Sequence, residues 1–262
     1  MISFNNLGNL GRLGNQMFQY ASLKGIARNR GLNFCIPHPE VVGQTDINVR
    51  QSDYNIYNTF QLSDVLYHIS NYQTLTESTF NFDQNLFDNC PDNVNLLGYF
   101  QNENYFKSIE SEIKKDFTFS KDIQTLCKNI IGQTEYISLH IRRGDYVNNP
   151  NHPIQPMSYY EESLKYFDSS VPVIVFSDDY RWCHKQKLFE DDRFLISENN
   201  ATAVDLCLQS MCSYHIICNS SFSWWGSYLA DSKKTIAPKL WFGGEISDKD
   251  TSCIYRKTWV II

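Results

Sequence analysis

The stretch V-P-V-I-V-F-S-D-D, residues 171–179, decides the reading of the fold. Its apolar run is strand-sized, too short for a core helix, and unbroken by the polar alternation of a half-exposed sheet. That pattern belongs to a strand covered on both faces, as in a parallel sheet. The run stops at Ser177, Asp178 and Asp179 and leads into a helix-like segment, 179–189. Working backwards, Ser158 with Glu161 three residues on predicts a capping box opening a helix through Phe167. Before it, 135–141 reads as a strand in which Ile137, Leu139 and Ile141 alternate with Tyr136, Ser138 and His140. Working forwards, strands at 194–196, 214–218 and 234–237 alternate with helices at 203–211 and 222–230, and Pro238 stops the last strand. Such alternation predicts an α/β fold with a mostly parallel sheet, and places ligands at the carboxyl ends of the strands.

The first half is less patterned. A short strand opens the chain, a loop punctuated by Gly8, Gly11 and Gly14 follows, and a helix is predicted from about Asn15 to Arg30. Residues 40–100 resist assignment, because turn-prone Asn and Asp interrupt every apolar cluster. Residues 104–117 read as an amphipathic helix, with Lys107, Glu110 and Lys114 outward and Tyr105, Ile109 and Ile113 on the core face. A boundary near residue 120 divides an N-terminal domain, 1–119, from a C-terminal domain, 120–262.

The 262 residues are 42% hydrophobic and 20% charged, which fits a globular chain with a real core and excludes disordered and fibrous classes. The 23 Lys and Arg against 29 Asp and Glu give a net charge of −6, which argues against nucleic acid or acidic membranes as partners. No segment approaches the ~18 apolar residues of a spanning helix. Met1–Asn6 lacks the charged and apolar regions of a secretory signal, so the expected location is the cytoplasm. There the sequons at Asn200 and Asn219 would go unused, and the 8 scattered cysteines would stay reduced.

Three strand ends carry polar clusters. His140-Ile141-Arg142-Arg143-Gly144-Asp145 offers two arginines able to fork onto a diphosphate, or else a surface ion pair with Asp145. Ser177-Asp178-Asp179 could cap the next helix or contact a ribose or base. Asn219-Ser220-Ser221-Phe222 precedes a helix whose free N–H groups, with two hydroxyls, would make a metal-independent anion site; Trp224 and Trp225 read as core anchors. The loop through Arg12, Gly14 and Asn15 is neither a dinucleotide nor a Walker motif. Asp248-Lys249-Asp250 has the spacing of a metal-binding pair but lies in a polar loop and reads as a solvated turn. Arg143-Gly144-Asp145 is an adhesion tripeptide by spelling, yet it follows a predicted buried strand. The loop 146–157, with His152, is a lid or an ordinary turn.

The strings G-R-L-G-N-Q-M-F-Q-Y-A (11–21), H-I-R-R-G-D-Y (140–146), F-S-D-D (176–179) and N-S-S-F-S-W-W-G (219–226) occur in one order across nearly the whole chain. Together they resemble family 11 glycosyltransferases, the bacterial α-1,2-fucosyltransferases. The resemblance implies a GT-B-like fold of two Rossmann-like halves facing a cleft, the N-terminal half on the acceptor side. It implies an inverting transfer of L-fucose from GDP-β-L-fucose, held mainly by the C-terminal half, to the 2-hydroxyl of a terminal galactose on an oligosaccharide or O-antigen-type glycan. No metal or other cofactor is expected, and a lipid-linked acceptor would bring peripheral membrane contact. By matching position, Arg142 would hold the diphosphate with His140 near the nucleotide; Ser220, Ser221 and Phe222 would lie at the phosphate, and Arg143 and Asn219 are further expected substrate-binding residues. Ser177, Asp178 and Asp205 would face the ribose or guanine, and Arg12, Gly14 and Asn15 the donor sugar. Asp145 is the nominal catalytic base, or the residue that orients Arg142. The rival expectations are a metal-dependent glycosyltransferase using another sugar nucleotide and a non-catalytic sugar-nucleotide binder.

Overall fold

A computed structural model describes residues 1–40, 55–67, 70 and 72–262. The unassigned stretch 40–100 falls partly outside these residues. The chain forms two compact units: Met1–Ser120 with Asp250–Ile254, and Lys121–Lys249 with Tyr255–Ile262.

In unit 1 the strands β1 (Ile2–Ser3), β2 (Phe34–Pro37), β3 (Val65–Leu66), β4 (Gln73–Thr76) and β5 (Val94–Leu97) form one sheet in the order β3-β2-β1-β5-β4. Every pairing is parallel. The chain builds outward from β1 on one side, then returns to fill the other, so its direction of winding reverses between β1 and β5. Helix α1 (Leu13–Arg30) runs through the centre and is buried on nearly all sides. Its polar side chains act as struts. Gln16 Nε2 donates to the Gly11 carbonyl at 2.8 Å and its Oε1 accepts from Ile56 N. Gln19 donates to the carbonyls of Leu10 and Gly98, and Lys24 pairs with Asp116 at 2.6 Å. These buried amides and charges hold loops where apolar residues could only fill space.

The helix begins two residues earlier than expected: Arg12 is its N-cap and Asn15 stands in its first turn. The helix expected at 104–117 is also broken. Two 3-10 turns (Glu103–Tyr105 and Lys107–Ile109) precede an α-helix confined to Glu110–Asp116. Tyr105, Ile109 and Ile113 are buried as expected. The breaks come at Phe106 and Ile109, whose φ values of −129° and −120° leave the helical range, while Asn102 caps the first short turn by accepting from Asn104 N.

In unit 2, β6 (Ile137–Ile141), β7 (Val173–Ser177), β8 (Phe194–Ile196), β9 (Tyr214–Ile216), β10 (Lys234–Ala237) and β11 (Val260–Ile261) form a second sheet in the order β11-β10-β9-β6-β7-β8. This sheet too is parallel throughout. Val173 through Phe176 are all buried, as the continuous apolar run requires. The intervening residues of β6, Ser138 and His140, are buried as well, so β6 is covered on both faces. Winding reverses between β6 and β9, which makes their carboxyl ends a topological switch point.

The capping box at Ser158 does not form. The helix spans Met157–Leu164 with Pro156 at its N-cap and no side-chain cap, because proline's fixed φ already sets the helical entry. The segment 179–189 folds as a short helix, Tyr180–Cys183, and a 3-10 turn, Lys187–Glu190. Trp224 and Trp225 are buried core anchors on the helix Ser221–Leu229. Seven of the eight cysteines are buried and all eight are free thiols. Among the described residues no helix is long and apolar enough to cross a membrane.

Candidate active site

The carboxyl ends of β9, β6 and β7 lie side by side, and each delivers one of the polar clusters. Arg142 follows β6. Its Nη1 is 2.7 Å from Asp178 Oδ2 and its Nη2 bonds Asp145 Oδ1. Asp178 also accepts the Arg143 backbone N–H at 2.9 Å through its other oxygen, so one carboxylate ties the end of β7 to the turn after β6. Gly144 is required by this arrangement: a Cβ there would overlap Asp178 Oδ2. Burial alone would lower the Arg142 pKa, but the Asp178 and Asp145 carboxylates outweigh it and raise the guanidinium above its ordinary value. A guanidinium has five N–H donors, so a fork braced at both arms still has donors for an anion.

Arg143 turns the other way. Its Nε lies 3.1 Å from Asp179 and its guanidinium sits 4.0 Å from the Trp182 ring centroid. Arg143 and Asp145 are thus both engaged by neighbours, unlike the free side chains of an adhesion tripeptide. Asp179, and not Asp178, caps the following helix by accepting from Trp182 N, while Ser177 Oγ accepts from Asp179 N.

The loop after β9 adjoins the end of β6. Ser220 caps the helix Ser221–Leu229 by accepting from Phe222 N at 3.3 Å. Asn219 is structural: its amide donates to the carbonyls of Pro153 and Trp241 and accepts from Gln155. His140 is buried with Nδ1 3.1 Å from Cys218 Sγ and its ring 5.5 Å from that of Phe222. Burial, reinforced by the charge of Arg142, pushes the imidazole down to about 3; burial pushes the Cys218 thiol up to about 12. Both are neutral at pH 7, so the charge here is left to Arg142 and to Arg143, which is paired with Asp179.

Two residues without an assigned role in the sequence reading complete the arrangement. Tyr146 donates its hydroxyl to the Asn219 carbonyl at 3.0 Å and presents its ring 5.5 Å from the Arg142 guanidinium. Gln155 donates to Asn219 Oδ1 and the Leu240 carbonyl. With Gly243 N and Glu245 N bonded to Asn151, these contacts tie the loop 146–157 down. Tyr146 ended the quoted H-I-R-R-G-D-Y string, whereas Gln155 carried no signal.

Asp205 sits apart, in the first turn of the helix Thr202–Met211 that follows β8, accepting from Ser197 Oγ at 2.7 Å and from Asn200. Burial pushes its carboxyl up to about 6 against those two hydrogen bonds. Between the ordinary Asp range and about pH 6 the folded chain keeps a proton that the unfolded chain has released. This stabilisation is therefore full below the ordinary pKa and lost as pH rises through about 6. Asp205→Asn retains an acceptor for Ser197 and Asn200 without the charge. It is expected to raise Tm at pH 8 and leave it unchanged at pH 4; thermal unfolding at the two pH values checks this, and an unchanged Tm at pH 8 would contradict it.

Arg12, Gly14 and Asn15 belong to unit 1, at the carboxyl end of β1. Asn15 Oδ1 accepts from Gln101 Nε2 at 2.7 Å. Among the described residues no group of three or more His, Cys, Asp and Glu could hold a metal ion. Asp250 accepts from Ser252 N and from Asn81, as in a polar turn.

The chain is 33% identical to an α-1,2-colitosyltransferase of Escherichia coli, over 96% of each chain. It is 30% identical to a galactoside 2-α-L-fucosyltransferase of Caenorhabditis elegans, over 53% of this chain and 43% of the relative. Among solved structures it resembles the α-1,6-fucosyltransferase NodZ soaked with GDP-fucose, with a TM-score of 0.55 and 14% identity over 93% of this chain and 97% of the other. That likeness is one of fold, and with two parallel-sheet halves it gives the chain a GT-B-like α/β architecture. The sequence profile of Glycosyl transferase family 11 matches residues 2–262, and the chain therefore belongs to this family of glycosyltransferases.

Proposed function

We propose that the chain transfers L-fucose from GDP-β-L-fucose to the 2-hydroxyl of a terminal galactose on an oligosaccharide or O-antigen-type glycan, inverting the anomeric centre without a metal. The observation that carries this reading is Arg142, braced by Asp145 and Asp178 beside the Ser220-capped helix at the sheet's switch point. In a single in-line displacement the departing GDP gains negative charge as the glycosidic bond breaks. Donors already fixed in place need no reorganisation, and each can be worth ~3–4 kcal/mol in a dry site. Arg142 and the helix N–H groups are such donors, and Asp145 acts by orienting Arg142. The chain works in the cytoplasm, touching a membrane only through a lipid-linked acceptor.

A second reading follows from the colitosyltransferase relative. Colitose is fucose without its 3-hydroxyl, so the same site chemistry suits either donor. GDP release is to be measured with each sugar nucleotide, in EDTA, with lactose and N-acetyllactosamine as acceptors, and the product linkage read by NMR. Acceptor-dependent release in EDTA with an α-1,2-fucosylated product is the expected result. Preference for the colitosyl nucleotide would replace the donor, and activity restored only by Mg²⁺ or Mn²⁺ would overturn the metal-free mechanism.

A further inference from the structure

In unit 1 the carboxyl ends of β1 and β5 form the sheet's second kind of landmark, a switch point of their own, and the loop leaving β5 there is held in an unusual state. Phe100 has φ of 50°, a left-handed conformation that a bulky side chain rarely adopts. The surroundings enforce it. Glu77, just past β4, accepts the Tyr99 N–H through Oε2 at 2.8 Å and the Phe100 N–H through Oε1 at 2.9 Å. The Phe100 carbonyl accepts from Ser22 Oγ and from Asn102 N. Its ring is fully buried, edge-on to Phe4 and Tyr105. Gly98 belongs to the same clamp: a Cβ there would lie 2.7 Å from Glu77 Oε2. Gln19 Nε2 donates to the Gly98 carbonyl at 3.2 Å.

The product of this construction is Tyr99. Its backbone is fixed from both sides, while its side chain is 40% exposed and has no hydrogen-bond or ring partner among the described residues. Strain maintained by so many contacts marks positions where a side chain is being presented to a ligand. A rigid exposed tyrosine offers a flat apolar face with a hydroxyl at its rim, and little entropy is lost when something stacks on it. The complementary ligand is a pyranose whose ring C–H bonds lie on one side, as in galactose.

We infer that Tyr99 is the stacking platform for the acceptor galactoside, a specificity-determining residue, and that Glu77 is the positioning residue that holds it. The inference rests on the acceptor-glycan reading above and adds the residue that selects the acceptor.

Tyr99→Ala is expected to raise the acceptor KM about tenfold or more, with the donor KM and Tm unchanged. Tyr99→Trp restores an aromatic face and keeps the acceptor KM near wild type. Glu77→Gln retains one acceptor for two N–H groups and raises the acceptor KM without moving the donor KM. Saturation-transfer NMR of N-acetyllactosamine on protein with GDP provides a readout without turnover. Loss of transfer in Tyr99→Ala supports the platform even if the wild type makes no α-1,2 product, in which case the proposed reaction alone fails. An acceptor KM and a saturation transfer both unchanged in Tyr99→Ala would overturn the inference, as would an acceptor KM that tracks a falling Tm.

Discussion

Arg142→Ala is expected to lower kcat about 100-fold or more, with secondary structure retained. The guanidinium at the end of β6 is aimed by two carboxylates, so its loss removes charge stabilisation that water cannot replace in the same geometry. Arg142→Lys keeps the charge but not the fork. An ammonium cannot bridge Asp145 and Asp178 while also meeting two phosphate oxygens, so this variant too is expected to be strongly impaired. Deleting Arg142 leaves Asp178 unpaired, and the resulting repulsion could itself disturb the loop. The double variant Arg142→Ala/Asp178→Asn separates the effects. If the loss is catalytic, the double variant stays as slow as the single one. Recovery of near-normal turnover would show that Arg142 serves the loop and not the reaction.

The second large effect concerns stability. Gly25→Ala is expected to destabilise the protein, although alanine is the better helix former by about 1 kcal/mol. Gly25 lies in the middle of α1, where the helix abuts another backbone. A Cβ there would overlap the Tyr105 carbonyl oxygen and lie 2.9 Å from Phe106 Cα. Backbone cannot swing aside as a side-chain end can, and overpacking of this kind costs about 3 kcal/mol. The net loss of about 2 kcal/mol corresponds to a fall in Tm of roughly 6 °C, read by circular dichroism. An unchanged Tm would mean that the 3-10 turns at 103–109 yield at no cost.

Much of unit 2 was legible because its strands obey a strong rule. Runs such as 171–176 are apolar on both faces, and polar residues stop them at their carboxyl ends. Arg142 and Asp178 come together, and the loop through Ser220 follows the neighbouring strand, because parallel strands deliver all such ends to one edge. Unit 1 was harder. Its β1 has two residues and its β4 is Gln-Thr-Leu-Thr, with no periodicity to read. The long helix expected at 104–117 is interrupted at Phe106 and Ile109, where the backbone leaves helical values, and the Ser158 box lost to Pro156. The roles of Gln16, Gln19 and Glu77 were invisible, since a buried amide or carboxylate bracing a distant carbonyl or N–H leaves no spacing signature. Even at the site, adjacent Asp178 and Asp179 take different roles: one braces Arg142, the other caps a helix.

The assignment of Asp250–Ile254 to unit 1 bears on how the chain is made. Ile254 is buried and Asp250 holds Asn81, so unit 1 is completed only after residue 254 has left the ribosome. By then residues 121–249 have already emerged. The half that is synthesised first is therefore sealed late, and a nascent chain stalled before residue 250 carries an unfinished N-terminal unit beside a nearly complete second one. Residues 250–262 thus close both halves in succession, Asp250–Ile254 completing unit 1 and Tyr255–Ile262 then completing unit 2, which makes this one short segment a checkpoint for both.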